Sequence, residues 1–406
     1  MLVLETKLRG NPTQFAALDE AIRTAQFIRN KCVRYWMDNQ GVGQYDLSKL
    51  CAVWAKEFAW AGKLNSMARQ ASAERAWSAI KRFYDHCKAQ KPGKKGFPRF
   101  KKNVRSVEYK TSGWKLSSDR KHLTFTDGFK AGTFLLVGAR DLHFYPIAQI
   151  KRVRVVRRAD GYYAQFCVAV DRQETIQPTG KAVGLDLGLK FFYKATDGTE
   201  VENPKFLRNA ERKLKRLQRR VSKKQKGSKN RKKAIHRLGR HHLKVLRQRK
   251  DWAVKQARAL VMSNDFIAYE DLQVRNMVRN HHLAKSISDA AWGLFVDWVK
   301  YYAQVFGKVQ QPVPPQYTTV DCFDCKQPVK KTLSTRTHVC PHCGSVRCRD
   351  ENAAWNILEK GLRLAGIKNT GGHSEINASG QNDLYLNQAL LLRKVRSTIG
   401  SDKSAG

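Results

Sequence analysis

The chain has 406 residues, 77 of them Lys or Arg and 34 Asp or Glu, for a formal net charge of +43. Self-repulsion on that scale points to a polyanionic partner, long RNA or DNA, while 42% hydrophobic and 10% aromatic residues exclude a merely disordered basic tail and suffice for two or three cores. No run of 18 or more apolar residues occurs and the opening MLVLETKLRG has no signal-peptide core, which argues against a membrane partner and for a cytosolic protein.

Residues 11–90 read as amphipathic helices: Phe15, Leu18, Ile22, Phe27 and Val33 recur near a 3.6-residue period, and LNSMARQASAERAWSAIKRFYDHC repeats the habit. KPGKKGFPRFKK at 91–102 breaks the pattern. From about 104 to 175 the period falls to two, with a hairpin turn at Asp160-Gly161, so a sheet or small barrel is expected. DRQETIQPTG at 171–180 has the make-up of a domain boundary.

KAVGLDLGLKFFYKATDG then reads as strand, turn and strand. From Arg208 to Arg258, 22 Lys or Arg stand against only Glu211 and Asp251, and Leu214, Leu217, Val221, Leu238, Leu243 and Leu246 form a thin apolar stripe around KKQKGSKNRKK. That pattern predicts a helical hairpin with a cationic tip. NDFIAYEDL reads as a buried strand opening into a site at its C-terminal end, and SISDAAWGLFVDWVKYYAQVF as one helix buried through Ile287, Leu294, Phe295, Trp298, Tyr302 and Val305. From Gly361 onward periodicity is lost and a flexible tail is expected.

Four of the nine cysteines, Cys32, Cys51, Cys87 and Cys167, are isolated in apolar surroundings and read as buried thiols. Cys322-Phe-Asp-Cys325 and Cys340-Pro-His-Cys343, separated by 14 residues, have the spacing of a closed tetrahedral zinc site. A disulfide pair is the alternative reading, and Cys348 and His342 are competing ligands. Zinc saturated by four thiolates has no open position for water, so its role is structural.

Three acids stand out: Asp186 in GLDLG, Glu270 in YEDL and Asp350 in CRDENAAWN. Each alone is more commonly a solvated or capping residue, and Asp350 could cap the helix ENAAWNILEKGL. Three carboxylates from separate elements, two in apolar strands, favour Mg²⁺ or Mn²⁺ instead, because burying unpaired carboxylates is costly. Two such ions about 3.5–4 Å apart can activate water and stabilise the leaving oxygen in phosphodiester cleavage.

GLDLG, YEDL and RDENAAWNI, in that order and with the paired cysteines ahead of the last, resemble the split nuclease of the TnpB family, RNA-guided endonucleases encoded by insertion-sequence transposons. GFPRFKK at 96–102, SISDAAWG at 286–293 and the basic hairpin extend the likeness to roughly residues 1–360. The resemblance implies a multidomain α+β protein. A wedge barrel of oligonucleotide-binding type would comprise 1–10 and 104–175, a helical recognition segment 11–103, and an RNase H-like (RuvC) nuclease 181–320 and 345–362. The nuclease would include a basic hairpin at 206–262, a zinc ribbon would span 321–344, and a flexible tail 363–406.

It further implies Asp186, Glu270 and Asp350 as catalytic Mg²⁺ or Mn²⁺ ligands and Cys322, Cys325, Cys340 and Cys343 as zinc ligands. A guide RNA from the transposon end and target double-stranded DNA would be partners of a monomer in the prokaryotic cytosol. Gln70 would touch the motif adjacent to the target, and Lys223, Lys224, Lys226 and Lys229 would hold nucleic acid. The chain departs from the family pattern at Cys348, where an acidic residue is usual. A compact type V CRISPR effector and a non-cleaving regulator of transposition are the alternatives; the short segment before Asp186 favours the transposon form, and the three intact acids favour cleavage.

Overall fold

The structure, a computed structural model, describes residues 1–90, 93–138, 142–332 and 335–367. The chain divides into two units, Met1–Arg172 and Gln173–Gly406, at the expected linker. The architecture is α+β, with a seven-stranded curled sheet in the first unit and a five-stranded mixed sheet in the second.

The first unit begins with β1 (Leu2–Arg9), followed by α1 (Pro12–Asp38), α2 (Gln44–Glu57), α3 (Ala59–Gly62) and α4 (Ser66–Lys88). Six strands then follow: β2 (Ser106–Lys110), β3 (Trp114–Leu116), β4 (His122–Phe125), β5 (Thr133–Val137), β6 (Ile150–Arg158) and β7 (Gly161–Val168). The sheet order is β2-β6-β7-β1-β5-β4-β3, so the N-terminal strand lies in the middle, antiparallel to both neighbours. The helices share a core of Ile28, Val33, Trp36, Leu47, Trp54 and Ile80. Asn11 begins α1 with a reciprocal cap: its side chain accepts from Gln14 N and its N–H donates to Gln14 Oε1, both at 2.9 Å. Cys32, Cys51 and Cys167 are buried as expected, but Cys87 is exposed in the last turn of α4. Gln70 lies half-buried on α4.

The second unit holds β8 (Ala182–Leu187), β9 (Phe191–Ala195), β10 (Glu200–Glu202), α5 (Phe206–Ser222) and α6 (Lys229–Ser263). After these come β11 (Phe266–Glu270), α7 (Val274–Met277), α8 (Ala284–Ala290), α9 (Trp292–Phe306), β12 (Val309–Val313), β13 (Thr337–Val339), β14 (Val346–Cys348) and α10 (Arg349–Leu364). The order is β10-β9-β8-β11-β12, with β11 parallel to both β8 and β12 and the β8–β9–β10 edge antiparallel. All five β11 residues are buried, as a central parallel strand requires.

Strand alternation then decides which helices meet which residues. Val183, Leu185, Ile267 and Tyr269 share a core with Val261 of α6 and Phe295 of α9. Phe266 and Ala268 face the other way, onto Ile357, Leu358 and Leu362 of α10. Gly184 is on the α10 side of β8, since a Cβ there would stand 2.2 Å from the Ala354 carbonyl oxygen. Asp186 and Glu270, two residues beyond Gly184 and Ala268, therefore share that side of the sheet.

Two helical expectations change. SISDAAWGLFVDWVKYYAQVF is two helices, broken where Ala291 adopts a left-handed backbone (φ 57°). In α6, Leu246 is 53% exposed and Val245 takes the buried position. The expected tail also starts too early: α10 continues through Gly361 to Leu364, and Ile367 packs on the same core. The remainder of that tail, 368–406, lies outside the described residues. Among the described residues, no helix is long and apolar enough to cross a membrane.

Candidate functional site

Asp186 is the fifth residue of β8 and Glu270 the last of β11, so adjoining parallel strands deliver both carboxylates to the C-terminal edge of the sheet. Open α/β sheets offer their binding crevices at that edge. Glu270 is only 8% exposed. Asp350 is the second residue of α10; Cys348 occupies the cap position, so Asp350 is not the helix cap. It stands in the first turn, where the helix dipole favours an anion.

Asp186 lies within reach of the charge of both other acids. Desolvation first, then the charge of Glu270, then that of Asp350 push the Asp186 carboxyl up to about 8, with Arg349 opposing. Burial likewise raises Glu270, against a hydrogen bond that its Oε1 accepts from Thr318 Oγ1 at 2.5 Å. Among the described residues the only group that brings three or more His, Cys, Asp or Glu ligand atoms within 4.8 Å of one another is the four paired cysteines, so the three carboxylates lie near one another without closing into a ligand cluster.

Arg349 Nε lies 3.3 Å and Arg336 3.9 Å from the Asp350 carboxylate. Sequence patterns do not reveal Arg336, because it sits between the cysteine pairs, far along the chain from any of the three acids except Asp350; its side chain is 53% exposed. Cys348, which departs from the acidic residue usual in the family, lies against Lys194 Nζ, which also pairs with Glu200 at 2.6 Å.

The four paired cysteines bring their sulfurs within 4.8 Å of one another, with Cys322 to Cys343 at 3.8 Å and Cys325 to Cys340 at 3.5 Å. Four thiolates about 2.3 Å from one zinc stand about 3.8 Å apart, so the cluster has the size zinc requires. Neither Cys348 nor His342 joins that group. Two short strands, β13 and β14, pair antiparallel beside it.

The basic segment folds as the expected hairpin, α5 packed against α6 through Leu214, Leu217 and Val221. Lys223, Lys224, Lys226 and Lys229 are exposed at its tip. Its root is fixed by buried Asp289, whose carboxylate accepts from Leu207 N at 2.8 Å, Arg208 N at 3.0 Å and Arg249 Nη2 at 2.8 Å. Asp289 lies in the SISDAAWG stretch, whose acid has no partner legible in the sequence.

Fold and site thus define an α+β protein in which two adjoining parallel strands carry acids to one edge of a sheet and four cysteines gather with the spacing of a metal site. Residues 165–281 match the family OrfB_IS605, described as "Probable transposase", and 292–357 match "Cas12f1-like, TNB domain". A Streptomyces pristinaespiralis protein named "Putative RNA-guided DNA endonuclease" is 31% identical over 375 residues, covering 88% of this chain and 89% of the relative. InsQ of Escherichia coli K12, which carries the same name, is 27% identical over 65% of this chain and 68% of its own. A mimivirus "TnpB-like protein" is 25% identical over 62% of this chain and 51% of its own. The chain belongs to the TnpB family of RNA-guided DNA endonucleases. Its fold resembles that in the cryo-EM structure of a Cas12f1-sgRNA-target DNA complex, at a TM-score of 0.55 and 13% identity over 85% of this chain and 82% of that one.

Proposed function

We propose that this chain is an RNA-guided DNA endonuclease of an insertion-sequence transposon that cuts target DNA beside a short adjacent motif. The observation that carries the reading is that adjoining parallel strands bring Asp186 and Glu270 to one edge of the sheet, within reach of Asp350, in a chain of net charge +43. Asp186, Glu270 and Asp350 would hold a pair of divalent cations, which supply water activation and leaving-oxygen stabilisation when bound. Arg336 supplies an exposed cation for the phosphate, and Arg349 orients Asp350. The second unit is read as an RNase H-like nuclease carrying a zinc ribbon at 321–344, and the seven-stranded sheet of the first as the wedge barrel. Gln70 of α4 is assigned to the adjacent motif. Sequencing the RNA that copurifies with the chain, then challenging the complex with a matching plasmid and Mg²⁺, tests the reading; absence of a discrete RNA species or of cleavage would overturn it.

Zinc should be structural. Metal analysis is expected to give about one zinc per chain, and Cys322→Ser or Cys340→Ser is expected to lose it along with solubility and thermal stability, since binding free energy of a structural zinc is folding free energy. A folded, active, zinc-free preparation would refute the assignment.

The hairpin tip is assigned to nucleic acid because 22 positive charges against two negative ones repel one another without phosphate nearby. Replacing Lys223, Lys224, Lys226 and Lys229 by Gln is expected to weaken binding and flatten the slope of log affinity against log salt by about one for each phosphate no longer neutralised. Zinc content should not change. An unaltered slope would reduce the tip to a solvated surface.

A further inference from the structure

On α10, Asn352, Asn356 and Lys360 recur every fourth residue and so occupy one stripe of the helix. All three reach the same segment, 316–323, which leads into the first cysteine pair. Asn352 Nδ2 donates to Asp321 O at 2.8 Å and its Oδ1 accepts from Phe323 N at 2.9 Å. Asn356 Nδ2 donates to Asp321 O at 2.8 Å and to Thr318 O at 3.0 Å. Lys360 Nζ donates to Gln316 O at 2.8 Å. Asn352 is fully buried and Asn356 4% exposed, so these bonds are made where an unpaired amide would be costly.

The segment so held presents one side chain to the acids. Thr318, 1% exposed, has its hydroxyl 2.5 Å from Glu270 Oε1 and 3.0 Å from the Pro315 carbonyl. A hydroxyl has one proton to donate. When it goes to an ionised Glu270, it fills one acceptor direction of Oε1 and fixes the rotation of the carboxylate, which sets where Oε2 and the remaining lone pair of Oε1 point. Glu270 has no such constraint from its own strand, which ends at that residue.

We infer that Thr318 is a positioning residue for Glu270, and that the Asn352–Asn356–Lys360 stripe sets Thr318 in register with Asp350 on the same helix. One polar chain, buried at Asn352 and Asn356 and open to solvent at Lys360, thereby aligns acids from two elements that are not neighbours in sequence, and its far end, Phe323, sits inside the first cysteine pair. The inference rests on the nuclease reading for the purpose of the alignment, not for its existence.

The test compares Thr318→Val, which keeps the shape and removes the hydroxyl, with Thr318→Ser, which keeps the hydroxyl. The full-length chain with its copurified RNA is used. Fe²⁺ with ascorbate and peroxide replaces the catalytic cation and cuts the backbone beside the groups that hold it, read by mass spectrometry. Cleavage of matched DNA is measured across a Mg²⁺ series, and target binding is measured in EDTA. Thr318→Val is expected to lower Fe²⁺ cutting near Glu270 several-fold, to need more Mg²⁺, and to lose about tenfold or more in cleavage rate, as displaced catalytic groups do. Binding and zinc content should hold, and Thr318→Ser should restore the wild-type pattern. If Thr318→Val does not fold, Thr318→Ala takes its place. Wild-type Fe²⁺ cutting and Mg²⁺ dependence in the Val or Ala variant would overturn the inference, as would equal losses in the Ser variant, which would assign the effect to the methyl group. A wild-type chain that cleaves nothing would count against the nuclease reading, and the Fe²⁺ arm would then decide the role of Thr318 alone.

Discussion

Asp186→Ala, Glu270→Ala or Asp350→Ala is expected to lower DNA cleavage by about a hundredfold to ten-thousandfold, the several kcal/mol that a lost metal ligand removes from the transition state. Binding of guide and target should persist, because the charge that attracts them is spread over 77 basic residues and none of the three acids contributes to it. The Asp186 variant carries a second expected result. Burial and its two acidic neighbours push this carboxyl up to about 8 in the folded chain, against about 4 when unfolded. Between those values the folded state binds more protons than the unfolded one, so the metal-free chain loses stability as pH rises from about 4 to about 8. Asp186→Asn removes that loss, and its melting temperature in EDTA at pH 8 should equal or exceed wild type while cleavage is gone. Melting curves in EDTA at pH 5 and pH 8 check the sign; a variant that is destabilised more at pH 8 than at pH 5 contradicts it. Robust cleavage by any one purified variant would remove that acid from the site.

Gly184→Ala should be the most damaging single methyl in the second unit. The added Cβ would stand 2.2 Å from the Ala354 carbonyl oxygen and 2.8 Å from the Leu358 amide nitrogen, both backbone atoms that no rotamer change can move. Either β8 or α10 must shift, and overpacking of this kind costs about 3 kcal/mol, or about 10 °C in melting temperature for a unit of this size. Catalysis should suffer beyond stability, since Asp186 follows Gly184 by two residues on β8 and Asp350 lies in the first turn of the helix being pushed away. A displacement of about 1 Å can cost a hundredfold in rate. Measuring cleavage well below the variant's melting temperature separates the two losses, and an unchanged melting curve would contradict the close packing.

The chemistry of this chain is legible where it depends on spacing along the sequence. The CxxC pairs, the apolar runs before Asp186 and Glu270, and the charge-dense hairpin each announce themselves locally, and each folds as the pattern predicts. Arg336, Thr318 and Asp289 do not, because each acts on a residue many positions away and no local period marks such a partner. The stripe of Asn352, Asn356 and Lys360 is a middle case: its four-residue spacing is visible, but a polar stripe normally means a solvated face, and only the buried carbonyls opposite it reverse that reading. The break at Ala291 is hidden for another reason, since apolar periodicity continues across it. The tail is expected too early because no clear apolar period continues past Gly361. Gly361 is a close-approach position, where a Cβ would fall 2.6 Å from that of Ala268.

That α10 covers one face of β8 and β11 also fixes an order of events on the ribosome. Residues 188–348 separate β8 from the helix that completes its packing, so that face of the sheet stays uncovered until the last described helix has emerged. At about 5–20 residues per second, the Met1–Arg172 unit has about 10–40 s to fold before residue 364 is made. Over that interval the nascent protein already carries much of its positive charge but cannot yet bring Asp350 to the other two acids. Its affinity for polyanions is therefore born before its chemistry, and a nascent chain can engage RNA while still unable to cut.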